Sequence, residues 1–150
     1  MAMPPKLAEL VDDFAAVDPS QRVELLLELS RELPDLPERY AGHHELMEQV
    51  VECQSPLFLA VEVGAGAEDS EDVARVRLFF DAAPQSPTTR GFAAIMHAGL
   101  DGEPVGAVLE VPEDFYADLG LAELVSPLRL RGMTAMLGRI KRQIVVKTGS

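Results

Sequence analysis

The chain has 150 residues, 47% of them hydrophobic and 25% charged, with a formal net charge of -12. That is the composition of an ordinary folded domain with a real core, read here as a single domain over residues 1–150. It excludes a membrane span, because no apolar run approaches the roughly 20 residues one needs. It also argues against nucleic acid as a partner, because so acidic a body repels phosphate backbones.

Cys53 is the only cysteine, so no disulfide can form within the chain. The start, Met1-Ala2-Met3-Pro4-Pro5-Lys6, has no basic stretch leading into an apolar one, and a signal peptide is not expected. Both features point to a cytoplasmic location. The acidity is uneven. From Pro127 onward there are six basic residues, Arg129, Arg131, Arg139, Lys141, Arg142 and Lys147, and no acidic one. Such an end suits either an acidic protein partner or the negative C-terminus of a helix.

In chain order, Leu7, Leu10, Val11 and Phe14 recur at helical spacing and predict a first amphipathic helix. Asp18-Pro19-Ser20-Gln21 reads as a capped start of a second, which ends before Pro34. Pro34 to Gly42 is a loop. Leu46 to Val51, Leu57 to Val63 and Val73 to Phe80 read as strands, rich in β-formers. An acidic, glycine-containing hairpin loop over Gly64–Asp72 joins the last two, without the ordered ligand spacing of a calcium loop. Ser86-Pro87 and Ser126-Pro127 each pair a capping residue with proline at the first helical position. The first of these helices carries Phe92, Ile95 and Met96 on one face. The second carries Leu130, Met133, Leu137, Ile140 and Ile144, with its methionines read as core filler. Shorter helices are expected over Pro104–Leu109 and Pro112–Leu119. Helices, then three antiparallel strands, then helices give an α+β class.

The chemistry centres on Val50-Val51-Glu52-Cys53-Gln54-Ser55-Pro56. Pro56 cannot donate a ladder hydrogen bond and restricts Ser55, so a strand breaks there and Cys53 falls at the tip of a turn. A tip cysteine is either presented to a partner or buried as a small hydrophobe, and position alone leaves both open. A cysteine hydrolase needs a histidine base, and the neighbourhoods of His43, His44 and His97 match no such signature. A zinc site from His43, His44 and Cys53 lacks a fourth ligand. No Cys-x-x-Cys, phosphate loop or dinucleotide fingerprint is present. One-thiol chemistry remains: accepting a group on sulfur and passing it on.

Cys53-Gln54-Ser55 before an apolar strand resembles the Gly-Cys-Gln-Ser-x-Val-Trp region of the SufE family. Thr89-Arg90-Gly91-Phe92-Ala93-Ala94-Ile95 resembles that family's basic-Gly-Leu-Ile-Ala helix start. Phe115-Tyr116-Ala117-Asp118-Leu119-Gly120-Leu121 resembles its Phe-Phe-x-x-Leu-Gly-Leu segment. The run from Leu124 to Met136, with Ser126-Pro127-Leu128-Arg129 and Gly132-Met133, is similar to its Leu-Ser-Pro-Ser-Arg-x-x-Gly-Leu-x-x-Met. Departures occur at the thiol: Glu52 stands for the usual glycine, Leu57 for Val and Phe58 for Trp, and Pro56 stiffens the loop. A carboxylate beside the thiol disfavours the thiolate.

The resemblance implies an α+β fold of the SufE/IscU-like kind, with a small three-stranded antiparallel sheet packed against helices from both ends of the chain. It implies a sulfur acceptor that is a carrier more than a free-standing enzyme. Cys53 would take persulfide sulfur from a cysteine desulfurase (SufS-like), stimulate it, and pass sulfur to an iron–sulfur scaffold complex (SufBCD-like). No cofactor of its own is implied; pyridoxal phosphate belongs to the desulfurase. Gln54 and Ser55 carry over as loop residues that shape the thiol's surroundings, and Arg129 as a stabiliser of sulfur anion or a partner contact. The alternatives are a non-covalent activator of a desulfurase and a carrier to a different acceptor pathway. Shielding of a persulfide leads to the expectation that Cys53 is largely buried, in a pocket of Val50, Val51, Leu57 and Phe58, on a loop that moves when the partner binds.

Overall fold

The structure, a computed structural model, describes residues 3–53, 55–64, 74–121 and 125–148. Helix starts follow the proline signals. α1 (Pro5–Ala15) and α2 (Pro19–Glu32) open the chain, and at α2 the Asp18 N–H donates to Gln21 Oε1 at 3.4 Å. α3 (Pro87–Leu100) and α4 (Val105–Leu109) follow the sheet. α5 (Pro127–Thr148) begins where Ser126 Oγ accepts the Arg129 N–H at 3.3 Å, the expected cap on an otherwise orphaned donor.

The sheet has the order β1-β2-β3, antiparallel throughout. β2 (Leu57–Gly64) and β3 (Arg75–Ala82) pair along their whole length, Leu57 opposite Ala82 and Gly64 opposite Arg75. Along β3, Val76, Leu78, Phe80 and Ala82 are buried while Arg77 is exposed, the period of two that places one face on the core. β1 is only Glu48–Gln49. The longer strand expected from Leu46 to Val51 is cut at both ends. A 3-10 turn over His44–Leu46 takes its start, and a chain reversal, with the Cys53 N–H donating to Val50 O at 3.2 Å, takes its finish. The helix expected over Pro112–Leu119 is a 3-10 segment over Phe115–Leu119, which ends at Gly120 with φ of 70°. Only Gly64 of the expected acidic hairpin loop lies within the described residues.

The core joins both ends of the chain. α5 packs on β2 and α3 on β3, while α1 and α2 pack on α3. All five residues of the predicted α5 stripe are buried, as are Phe92, Ile95 and Met96 on α3. Gly91 explains how close α2 comes: a Cβ there would lie 2.9 Å from Leu26 O. Arg90 reinforces that corner, donating to the carbonyls of Ser30 (2.8 Å), Ala82 (2.7 Å) and Leu33 (3.4 Å). These bonds satisfy carbonyls at the C-terminal end of α2, just beyond it and at the end of β3. Among the described residues, no helix is long and apolar enough to cross a membrane.

Candidate functional site

Cys53 lies in the loop that joins β1 to β2. Val50 N–H donates to Leu57 O at 2.9 Å and closes the base of that loop, and β2 starts directly after Pro56. The predicted strand break is therefore present, and Cys53 stands beyond the last pair of the β1–β2 ladder. Glu52, in the place where a glycine was expected, needs no left-handed backbone: among the described residues positive φ occurs only at glycines.

The thiol is half-buried, not largely buried as expected, and its cover differs from the expected pocket. Val50 and Leu57 are in the core at 1% and 0% exposure, Val51 is turned out at 68%, and Phe58 is stacked on the His44 ring at 3.7 Å. The cover is α5. A Cβ built on Gly132 would lie 2.8 Å from Cys53 Sγ and 3.3 Å from its Cα. The missing side chain of Gly132 is thus the space the sulfur occupies. A glycine inside a helix costs about 1 kcal/mol relative to alanine, and at Gly132 it is what lets the Cys53 loop come this close to α5.

Charge around the thiol comes from two sides. Arg139 of α5 reaches Glu52 (Nη1 to Oε1, 2.8 Å) and Glu48 of β1 (Nε to Oε2, 3.1 Å). Arg142 also pairs with Glu48, and Gln143 Nε2 donates to Glu48 Oε1 at 2.9 Å. Burial, then the Glu52 carboxylate, pushes the Cys53 thiol up to about 11, and the Arg139 cation opposes them. At rest the sulfur is therefore protonated. Beside the loop, Glu52, Tyr116, Pro127, Leu130, Arg131, Thr134 and Ala135 line an open groove of about 400 Å³.

The remaining predicted site residues separate. Ser55 is half-buried in the loop. Gln54 lies outside the described residues. Arg129 is in the first turn of α5, and among the described residues no bond joins its guanidinium to Cys53. The arginine whose charge reaches the sulfur is Arg139, which the sequence motifs did not single out. The basic end of the chain is largely folded back on itself: besides Arg139 and Arg142, Lys141 donates to Val111 O and Lys147 to Val61 O. The histidines are engaged elsewhere, His43 with Glu45, His44 with Asp81 and His97 with Asp101. Among the described residues, no group of three or more His, Cys, Asp or Glu side chains could hold a metal ion.

Comparison with known proteins gives a consistent picture. Residues 8–144 match the family model SufE, described as an Fe-S metabolism associated domain. An uncharacterized SufE-like protein of Mycobacterium tuberculosis is 55% identical over 143 residues, covering 95% of this chain and 94% of that one. The cysteine desulfuration protein SufE of Plasmodium falciparum is 24% identical over 139 residues, covering 91% of this chain and 53% of that one. The solution structure of a hypothetical protein from Thermus thermophilus superposes with a TM-score of 0.80 at 36% identity, covering 99% of each chain.

Proposed function

The chain belongs to the SufE family, and on that premise we propose that it is a sulfur acceptor whose Cys53 receives persulfide sulfur from a pyridoxal-phosphate-dependent cysteine desulfurase. The observation that carries this reading is the placing of the sole cysteine: in a turn beyond the sheet, half-buried against Gly132, beside an open groove.

In the transfer step Cys53 loses its proton and the thiolate attacks the outer sulfur of the partner's persulfide. A new S–S bond forms on Cys53, the partner's S–S bond breaks, and the partner cysteine leaves as thiolate with the bonding pair. Nothing is oxidised or reduced overall, as in thiol–disulfide exchange. A thiol held at about 11 is almost wholly protonated at neutral pH, so activation falls to the encounter. Docking that draws the loop away from α5 removes the burial that is the larger cause of the raised value. Arg129, on the first turn of α5, is proposed as a partner contact, with Gln54 and Ser55 shaping the loop. The sulfur is then passed to an iron–sulfur scaffold, and the protein acts in the cytoplasm.

The test is desulfurase turnover, read as alanine released from free cysteine, with wild type and Cys53→Ser compared at equal concentration. A carrier stimulates turnover only with the thiol present. Equal stimulation by both proteins would make the chain a docking activator and refute the carrier reading.

A further inference from the structure

The transfer step above leaves Arg139 without a role, yet its guanidinium is the best-enclosed charge near the thiol, its side chain 19% exposed. It spans Glu48 on β1 and Glu52 on the Cys53 loop. Its Nε is buried and, although 3.1 Å from Glu48, has no aligned hydrogen bond. Its two carboxylate partners differ. Glu48 is held as well by Arg142 and Gln143 and does not need Arg139. Glu52, with a side chain 42% exposed at the groove, is open to a basic group brought by a partner.

We propose that Arg139 is a positioning residue for sulfur transfer: paired with Glu52 it holds the loop shut over the thiol, and released from Glu52 it becomes the counter-cation of the anionic sulfur on Cys53. The proposal rests on Cys53 being the acceptor. A gained sulfur moves the anion outward by one S–S bond, about 2 Å, and a guanidinium on a long side chain can follow it. Glu52 then acts as a latch: its charge disfavours the thiolate while it occupies the arginine that would favour it. Among the described residues, the charged and titratable groups facing the loop are Glu48 from β1, Glu52 itself, Arg131, Arg139 and Arg142 from α5, and Tyr116 across the groove.

The test is the pH profile of Cys53 alkylation by iodoacetamide in the isolated protein, for wild type, Glu52→Gln, Arg139→Gln and the double variant. The expected midpoint moves down by about one pH unit in Glu52→Gln and up by about as much in Arg139→Gln. The double variant lies between them. Movement of both single variants in the same downward direction would mean that the pair is a mechanical clip whose loss exposes the thiol, and would overturn the counter-cation role. No movement in either would overturn the whole proposal. Should Arg139→Gln not fold, Arg139→Lys serves: it keeps the midpoint near wild type and raises the alkylation rate above the midpoint, because an ammonium lacks the fork that clamps Glu52. The measurement uses no desulfurase and no persulfide. Its failure is therefore distinct from failure of the carrier reading, which the turnover of Cys53→Ser decides.

Discussion

Replacing Gly132 by alanine is the sharpest probe of how the fold controls the thiol. The new Cβ would start 2.8 Å from Cys53 Sγ, roughly 1 Å inside the 3.5–4.0 Å separation favoured by non-bonded carbon atoms. Either α5 or the loop must yield. α5 is anchored by buried Met133, Met136, Leu137, Ile140 and Ile144, whereas the loop beyond Val50 carries exposed Val51 and Pro56, so the loop moves. Overpacking costs about 1–3 kcal/mol, and gaining alanine in mid-helix returns about 1 kcal/mol. The net is a loss of about 0–2 kcal/mol, or a melting temperature lower by no more than about 8 °C. The thiol responds more. Burial is the larger cause of its raised value of about 11, and opening the loop removes it. A thiol returned fully to about 8.5 has about 300 times more thiolate at pH 7.5, offset about 13-fold by weaker nucleophilicity, for a net gain of about 20-fold in alkylation rate. Stopped-time alkylation followed by intact mass should therefore show Gly132→Ala reacting several-fold to about 20-fold faster. An unchanged rate and midpoint with a normal melt would refute the claim that Gly132 covers the sulfur.

Three further outcomes follow from the same geometry. Arg90→Met removes three bonds to carbonyls at one corner and should cost about 2–4 kcal/mol by urea denaturation, against less than about 0.5 kcal/mol for Arg129→Met; equal losses would contradict the account of the family-like Arg-Gly pair. Gly91→Ala, despite the better helix former, should lower the melting temperature, because its Cβ meets Leu26 O at 2.9 Å; a stabilised variant would show that α2 and α3 are less tightly packed than described. The Cys53 thiol is raised on folding, so its contribution to stability is complete below the unfolded value of about 8.5 and is lost as pH climbs towards about 11. Wild type should therefore lose melting temperature more steeply than Cys53→Ser between those limits, and parallel curves would mean that the thiol is not perturbed by the fold.

Local signals carried most of the architecture. Asp18-Pro19, Ser86-Pro87 and Ser126-Pro127 set three helix starts because each proline supplies the φ a first turn needs and each preceding residue stays outside the helix. The three-and-four spacing of Leu130 to Ile144 named a face that is buried at every position. Short-range reasoning failed where two local preferences competed. β-formers over Leu46–Val51 suggested a strand, but the turns on either side left only Glu48–Gln49 to pair. At the site, Cys53 and its turn could be read from Pro56 and the cysteine count, while its cover and its cation could not. Gly132 and Arg139 meet the loop only through the packing of α5 on the sheet, a relation no local pattern encodes. One signal did exist: Glu52 puts a carboxylate beside the thiol, and the basic residues from Pro127 onward are where a cation to offset it would be sought.

The most direct test of the central claim is the mass of the intact protein after incubation with a cysteine desulfurase from the same source, its cofactor and free cysteine, with Cys53→Ser alongside. Gain of one sulfur atom on the wild type, removed by reductant and absent from Cys53→Ser, is the result the account predicts. An unchanged mass on a wild-type protein that nonetheless binds and stimulates the desulfurase would contradict it.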